Sequence, residues 1–426
     1  MPIQKKKLCF YLQLHQPFRL TDFSVFDIDG KKDYFYGPKA ATNEEIFNRV
    51  SDKSYLPMCE MMYKMSTEFG VHWTISMSGV WIEQAEKYRP DVLMSFQRLV
   101  KTGCVEILGE TYYHSLASLK SKREFAEQVV LHTKKIRSTF ALYPQVFRNT
   151  ELIYNNEIAN FVSGLGFDGM LAEGWNLGWK SPNYLYKTKK CEVSQKDSEI
   201  IDYVSHRIRK PKDLKLLMRN YKLTDDIGFR FSDKNWSEFP LTADKYVSWL
   251  DAAEGEVINL FMDFETFGEH QWSDTGIFEF MYHLAKNTYQ NYDWVTVSEA
   301  IKTLEPKEEI DMHNIVSWAD MERDLSAWLG NRMQQNALDD VFALEEKVKE
   351  ALLYIRKTPE KRRFLDMWRK LQTSDNFYYM STKYWNDGDV HKYFSPYDTP
   401  YQAFINYMNV MHDFRRKIDR LIDSEF

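Results

Sequence analysis

From about residue 7 to residue 300, short apolar runs alternate with longer stretches in which apolar residues recur every three or four positions. The runs Lys7–Leu14, Val71–Met77, Val105–Leu108, Gln145–Arg148, Gly169–Ala172, Leu214–Arg219 and Glu256–Met262 predict β-strands. Several are continuously apolar, as expected of strands covered on both faces. Between them, Asn43–Phe69, Pro90–Thr102, Ser121–Thr139 and Glu151–Leu165 predict helices. Such alternation implies a parallel sheet, open or closed into a barrel. After about residue 305 the pattern becomes helical, over Glu322–Arg356, Glu360–Gln372 and Tyr401–Asp423. The polar stretch Glu305–Asn314 marks the boundary. The expectation is an α/β barrel-like domain over residues 1–305 and a helical domain over 306–426.

Charge and composition narrow the partners. The 426 residues carry 56 Lys and Arg against 62 Asp and Glu, a net charge of −6. Phosphate backbones call for a basic excess, so nucleic acid is not expected as a partner. The four cysteines, Cys9, Cys59, Cys104 and Cys191, are widely spaced without a CxxC pair, which speaks against a redox motif or a structural zinc site. The lysines before residue 8 imitate a signal peptide, but the apolar run after them is cut by Gln13 and lacks a small-residue cleavage site. No stretch reaches the ~18 apolar residues of a membrane span. A cytoplasmic protein with no membrane partner is therefore expected. Aromatic residues make up 15% of the chain, with 28 Phe, 26 Tyr and 12 Trp. Most must be core, but rings also stack on the apolar faces of sugars, which brings carbohydrate into view.

In parallel α/β folds, functional side chains collect where strands end. The first strand ends in His15-Gln16-Pro17, the third carries Glu106 and runs into GETYYHS (109–115), and the fourth ends in Arg148-Asn149-Thr150-Glu151. The seventh ends in Asp263-Phe264-Glu265 followed by TFGEHQW. Directly after so apolar a run, Asp263 is partly desolvated, which raises its pKa and suits it to act as a general acid near neutrality. The same residue could simply cap the next turn. Glu265, two residues on, would point the same way if the strand continued. Glu151 reads either as a helix-start glutamate or as a strand-end carboxylate held ionised by Arg148 or backbone donors. Two carboxylates of different character on separate strand ends form the constellation for glycosidic cleavage. No GxSxG, P-loop or GxGxxG is present. His15, His114, His270, Asp263 and Glu265 could converge on a divalent ion, yet without HxH or HExxH neither a metal nor a cofactor is expected.

HQP at 15–17, Gly103-Cys104-Val105-Glu106, FRNTELIYNNE at 147–157, FMDFETFGEHQW at 261–272 and ERDLSAWLGN at 322–331 occur in one order. Together they resemble the five sequence regions of glycoside hydrolase family 57, specifically its α-amylase branch. The resemblance implies a (β/α)7 barrel with a helical domain packed on it. It places Glu151 on the nucleophile position and Asp263 on the acid/base position. It matches His15 and Glu106 to the donor-sugar subsite, and His270, Trp272, Asp324 and Trp328 to positions near the cleft, so that the helical domain would belong to the active site. Glu265 joins the candidate substrate-binding residues.

The activity so implied is retaining hydrolysis of α-1,4-glucosidic bonds in starch, glycogen or malto-oligosaccharides, with carboxyl groups ~5–5.5 Å apart. The alternatives are a 4-α-glucanotransferase using the same pair, a non-catalytic glucan-binding homologue, and a metal-dependent hydrolase. The sequence leaves the oligomeric state open.

Overall fold

The computed structural model describes residues 5–37, 42–205, 213–383 and 395–423. The seven expected strands form as β1 (Lys6–Leu14), β2 (Trp73–Met77), β3 (Val105–Ile107), β4 (Val146–Phe147), β5 (Gly169–Glu173), β7 (Lys215–Arg219) and β8 (Val257–Asp263). Three short ones were not expected: β6 (Leu185–Thr188), β9 (Tyr292–Trp294) and β10 (Glu309–Ile310). One sheet runs β3-β2-β1-β8 in parallel, with β9 added against β1. The other runs β4-β5-β7, also parallel, extended by antiparallel β6 and then β10.

The two sheets meet at both edges. The Gly109 amide donates to Val146 and the Arg148 amide to Gly109, joining the end of β3 to β4. Across the other seam the Asn220 amide donates to Asn259, and the Arg219 Nε to the Phe261 carbonyl. Seven parallel strands thus close on themselves as a (β/α)7 barrel.

Alternation along the strands decides what points inward. On β1, Leu8, Phe10 and Leu12 pack outward against helices, while Cys9 and Tyr11 join Leu108, Val146, Leu171, Leu217, Val257 and Phe261 in the barrel interior. On β8, Ile258, Leu260 and Met262 face out, and Val257 and Phe261 face in. By the same period Gln13 and Asp263, which are register partners, face inward at the barrel's top.

Two expected helices differ in detail. Asn43–Phe69 is helical throughout but contains a π turn at Ser51–Tyr55, which lets Tyr55 reach inward. The helix expected over Glu151–Leu165 starts only at Asn156, where the Asn155 side chain accepts from the Ile158 amide. Before it lies a tight turn, Thr150–Leu152, in which Glu151 and Leu152 both have left-handed backbone, φ 58° and 51°. The stretch Glu322–Arg356 is broken at Gly330-Asn331 into Ser326–Leu329, Arg332–Ala343 and Glu345–Tyr354, because Asn331 accepts from the Gln334 amide and restarts the helix.

The helical segments Arg332–Ala343, Glu345–Tyr354, Thr358–Lys370 and Pro400–Asp423 share one apolar core with the barrel helices Lys122–Phe140 and Asn156–Gly164. Among the described residues, no helix is long and apolar enough to cross a membrane.

Candidate active site

Glu151 lies at the top of the barrel, just past β4. Its left-handed backbone costs about 1–3 kcal/mol for a residue other than Gly and persists only where surroundings over-determine it. Here the Leu152 and Ile153 amides donate back to Asn149 and Thr150, and the Trp318 amide donates to the Glu151 carbonyl at 3.2 Å. The side chain is held as firmly. Oε1 accepts from Ser374 Oγ at 2.8 Å and from His114 Nε2 at 3.2 Å, and Oε2 accepts from Trp318 Nε1 at 2.8 Å. Burial alone would raise the Glu151 pKa. The His114 hydrogen bond and charge, the Arg148 guanidinium and the Trp318 indole outweigh it and pull the carboxyl down to about 2.

Asp263 behaves in the opposite way. Burial, then the neighbouring Glu151 charge, push it up to about 6, with Arg148, His114 and Arg219 pulling back. No described side chain donates a hydrogen bond to it. The two carboxyls are thus split into one held as an anion and one holding its proton into the physiological range.

Around them a charge network is complete. Glu110, fully buried four residues beyond Glu106, accepts from His114 Nδ1 at 3.3 Å and from Gln13 Nε2 at 3.4 Å. Gln13 is fixed in turn by Tyr11 and Ser76. Burial would lower the His114 pKa, but its bonds to Glu110 and Glu151 win and push it to about 9, so it stands between them as a cation. His15 stacks on it with ring centroids 4.0 Å apart. Burial and the His114 charge drive the His15 pKa down. His15 Nε2 lies 2.9 Å from Asp375 Oδ2, and Nδ1 lies 2.7 Å from Ser78 Oγ. A neutral ring donating to Asp375 and accepting from Ser78 fits both contacts. Burial disfavours an ionised Asp375, but His15, His114 and Thr373 together hold it well below the usual carboxylate range.

Arg148 is completely buried, and none of its guanidinium nitrogens has a hydrogen-bond partner among the described residues. Its guanidinium lies 4.7 Å from the Trp318 ring centroid. It supplies the second positive charge between Glu110, Glu151 and Asp263.

The other sequence candidates divide. Glu265 is buried near Asp263, but β8 ends at Asp263 and a tight turn, Phe264–Thr266, rotates its side chain to accept from Tyr55 Oη at 2.5 Å. Burial and the Asp263 charge raise its pKa to about 8. Two residues past the turn, Gly268 has φ 104° and lies so close to the Lys53 carbonyl that a Cβ would sit 1.9 Å from it. His270 is half-buried and burial lowers its pKa to about 4.

Glu106 is not brought to the cluster. It points into the barrel from β3, roughly 13 Å down the strand from Glu110 at ~3.3 Å per residue, and its carboxylate accepts from the backbone and hydroxyl of Ser298. Trp272 is 56% exposed, with Lys53 over its ring. Asp324 is exposed and accepts from the Ser326 amide at 2.8 Å, two residues on. Trp328 is 1% exposed within the helical core, where it packs near Tyr378. The helical region does reach the site, but through Trp318 and the Thr373–Asp375 segment.

The family model described as Glycosyl hydrolase family 57 matches residues 9–313. A protein of Methanocaldococcus jannaschii named "Putative alpha-amylase" is 42% identical over 427 residues, covering 98% of this chain and 86% of its own. The chain belongs to glycosyl hydrolase family 57. It is an enzyme of the α-amylase-type glycoside hydrolases. The family 57 fold is seen again in the branching enzyme of Pyrococcus horikoshii, with a TM-score of 0.69 at 14% identity over 99% of this chain and 92% of that one. The α-amylase AmyC of Thermotoga maritima superposes with a TM-score of 0.61 at 13% identity, over 99% and 94% of the two chains.

The residues missed by sequence reasoning are Glu110, Arg148 as a counter-charge to Asp263, Trp318, Ser374 and Asp375. Glu110 carried a usable signal, because it follows the end of β3 in GETYYHS. Trp318 sits in an irregular segment, and Ser374 and Asp375 open a five-residue helix, Ser374–Tyr378, too short to show a period.

Proposed function

We propose that the protein is a retaining glycoside hydrolase acting on α-1,4-glucans, with Glu151 as nucleophile and Asp263 as acid/base. The observation that carries this reading is the opposed ionisation of two neighbouring carboxyls, Glu151 at about 2 and Asp263 at about 6. Glu151 attacks the anomeric carbon as the protonated Asp263 gives its proton to the departing glycosidic oxygen. Once Glu151 is esterified its negative charge is gone, and with it the repulsion that raised Asp263. Asp263 then becomes the stronger acid and remains a carboxylate, the form needed to take a proton from the attacking water. One charge, made and unmade, switches its role.

The family membership supports a glycosidic substrate. The identity to the Methanocaldococcus jannaschii protein, with the name it carries, supports an α-glucan. The test is product analysis after incubation with maltoheptaose, with chelator and Glu151→Gln as parallel arms. Shorter maltodextrins and glucose, indifferent to chelator and reduced roughly 10³-fold or more in the variant, are expected. Products longer than seven units would make the enzyme mainly a glucanotransferase. An unchanged substrate would remove the catalytic reading, and loss on chelation would replace the carboxylate pair by metal chemistry.

A further inference from the structure

Residues Ser317–Arg323 cross the top of the barrel as a short strap that carries Trp318 onto Glu151. Two of its residues, Asp320 and Arg323, have left-handed backbone, φ 55° and 54°. The strap closes on itself through the Ser317 amide, which donates to the Arg323 carbonyl at 3.0 Å, and is clamped from outside as well. The clamp is a four-residue ion box. Arg219, at the end of β7, donates through Nη1 to Glu173 Oε2 at 3.0 Å and through Nη2 to Asp225 Oδ1 at 2.5 Å. Arg323 closes the other side, donating through Nη2 to Asp225 Oδ2 at 2.7 Å and through Nη1 to Glu173 Oε2 at 3.4 Å. The same Nη1 donates to the Trp318 carbonyl at 2.5 Å. Glu173 is fully buried, and Arg219, Asp225 and Arg323 are nearly so. Lys383 ties the strap's middle by ion pairs to Asp320 and Glu322.

We infer that Arg323 is a positioning residue for catalysis: it latches the strap to the Glu173–Arg219–Asp225 group so that the Trp318 indole N–H stays on Oε2 of Glu151. The guanidinium suits the task because its planar fork reaches two carboxylates and a carbonyl at once, which a single ammonium does not. The box itself lies outside the hydrogen-bonded shell of Glu151. Arg323 therefore reaches Glu151 through Trp318, while its box partner Arg219 bears on the Asp263 charge. The inference rests on the proposed role of Glu151, and it adds residues which that role does not require.

The test is a double-mutant cycle on the full chain with maltoheptaose, comparing Trp318→Phe, Arg323→Met and the pair. A hydrogen bond to a charged group accounts for roughly 10- to 100-fold in rate. Each single variant should lose kcat by about that factor with KM within about twofold, and the acid limb of the pH–rate profile should move to higher pH in both. The double variant should lose no more than the worse single. Losses that multiply, or an Arg323→Met enzyme with wild-type kcat and acid limb, would overturn the latch.

Arg323→Lys keeps the charge balance of the box, guards against simple misfolding, and should fall between wild type and Arg323→Met. A second readout needs no turnover. With 15N-labelled tryptophan, the indole N–H resonance absent in Trp318→Phe should be protected from solvent exchange in wild type and at least about tenfold less so in Arg323→Met and Arg323→Lys. Unchanged protection sinks the latch whatever the activity. A wild-type enzyme inert on maltoheptaose but with protection lost in the variants would sink the proposed function and leave the latch standing.

Discussion

Asp263 and Glu151 share two counter-charges, Arg148 and His114, and that sharing has a kinetic signature. With Asp263 as the proposed general acid, the alkaline limb of kcat/KM should centre near pH 6, because that step needs it protonated. Arg148 lowers the pKa of both carboxyls. Arg148→Met should therefore move both limbs to higher pH, together with a fall in rate; a pH–rate profile measured on both enzymes checks this. Glu265 makes a separate prediction, about stability. Its pKa is about 8 in the folded protein against about 4.3 in an unfolded chain. Below the lower value neither state ionises, and between the two the unfolded chain releases a proton that the folded one keeps. Stability is therefore lost as pH rises through that window and levels off above about 8. Glu265→Gln, which mimics the protonated acid facing Tyr55, should raise Tm relative to wild type at pH 8 and leave it nearly unchanged at pH 4 in thermal melts.

At the scale of elements, what the sequence disclosed depended on periodicity. Short apolar runs gave the seven barrel strands, and Asp263 stood out because it directly follows the run Val257–Met262, which is apolar but for Asn259. His15 was legible as a strand-end residue before Pro17, whereas Glu151 stayed open between a helix start and a strand end until the family resemblance was weighed. Glu265 departs from the direction a continued strand would give it because β8 stops at Asp263, and nothing local in the sequence announces that stop. Glu106 and Glu110 lie on the same inward-facing side of one strand line, and only depth in the barrel separates them. Helix starts are similarly local but weak signals. Asn155 caps Asn156–Gly164, away from the carboxyls, so Asn155→Ala should cost about 1 kcal/mol in denaturant unfolding with kcat unchanged. Ser374→Ala is the contrast. It should leave Tm close to wild type, lower kcat, and raise the acid limb, because it removes one donor from Glu151.

For the whole molecule, the expected division at about residue 305 does not isolate the chemistry on one side. Glu151 is gripped by His114 from the barrel, by Trp318 just after the expected boundary, and by Ser374 from the helical region. The apolar core is equally continuous, with Phe125 and Phe161 of the barrel helices in one cluster with Trp368 and Phe414. A chain ending at residue 357 should therefore fail twice, by exposing that core and by losing Ser374 and Asp375. Circular dichroism and activity should both report it. A truncated barrel that retained full turnover would contradict the structure.

The order in which the grip on Glu151 is assembled also has a meaning in time. A chain made from its first residue onward holds both carboxyls once residue 263 has been added, yet the hydroxyl that donates to Glu151 arrives only with residue 374. Growing chains on the ribosome thus carry the reactive pair without its completed setting. The full set of contacts on Glu151 is therefore a property of the chain only after residue 374 has been added.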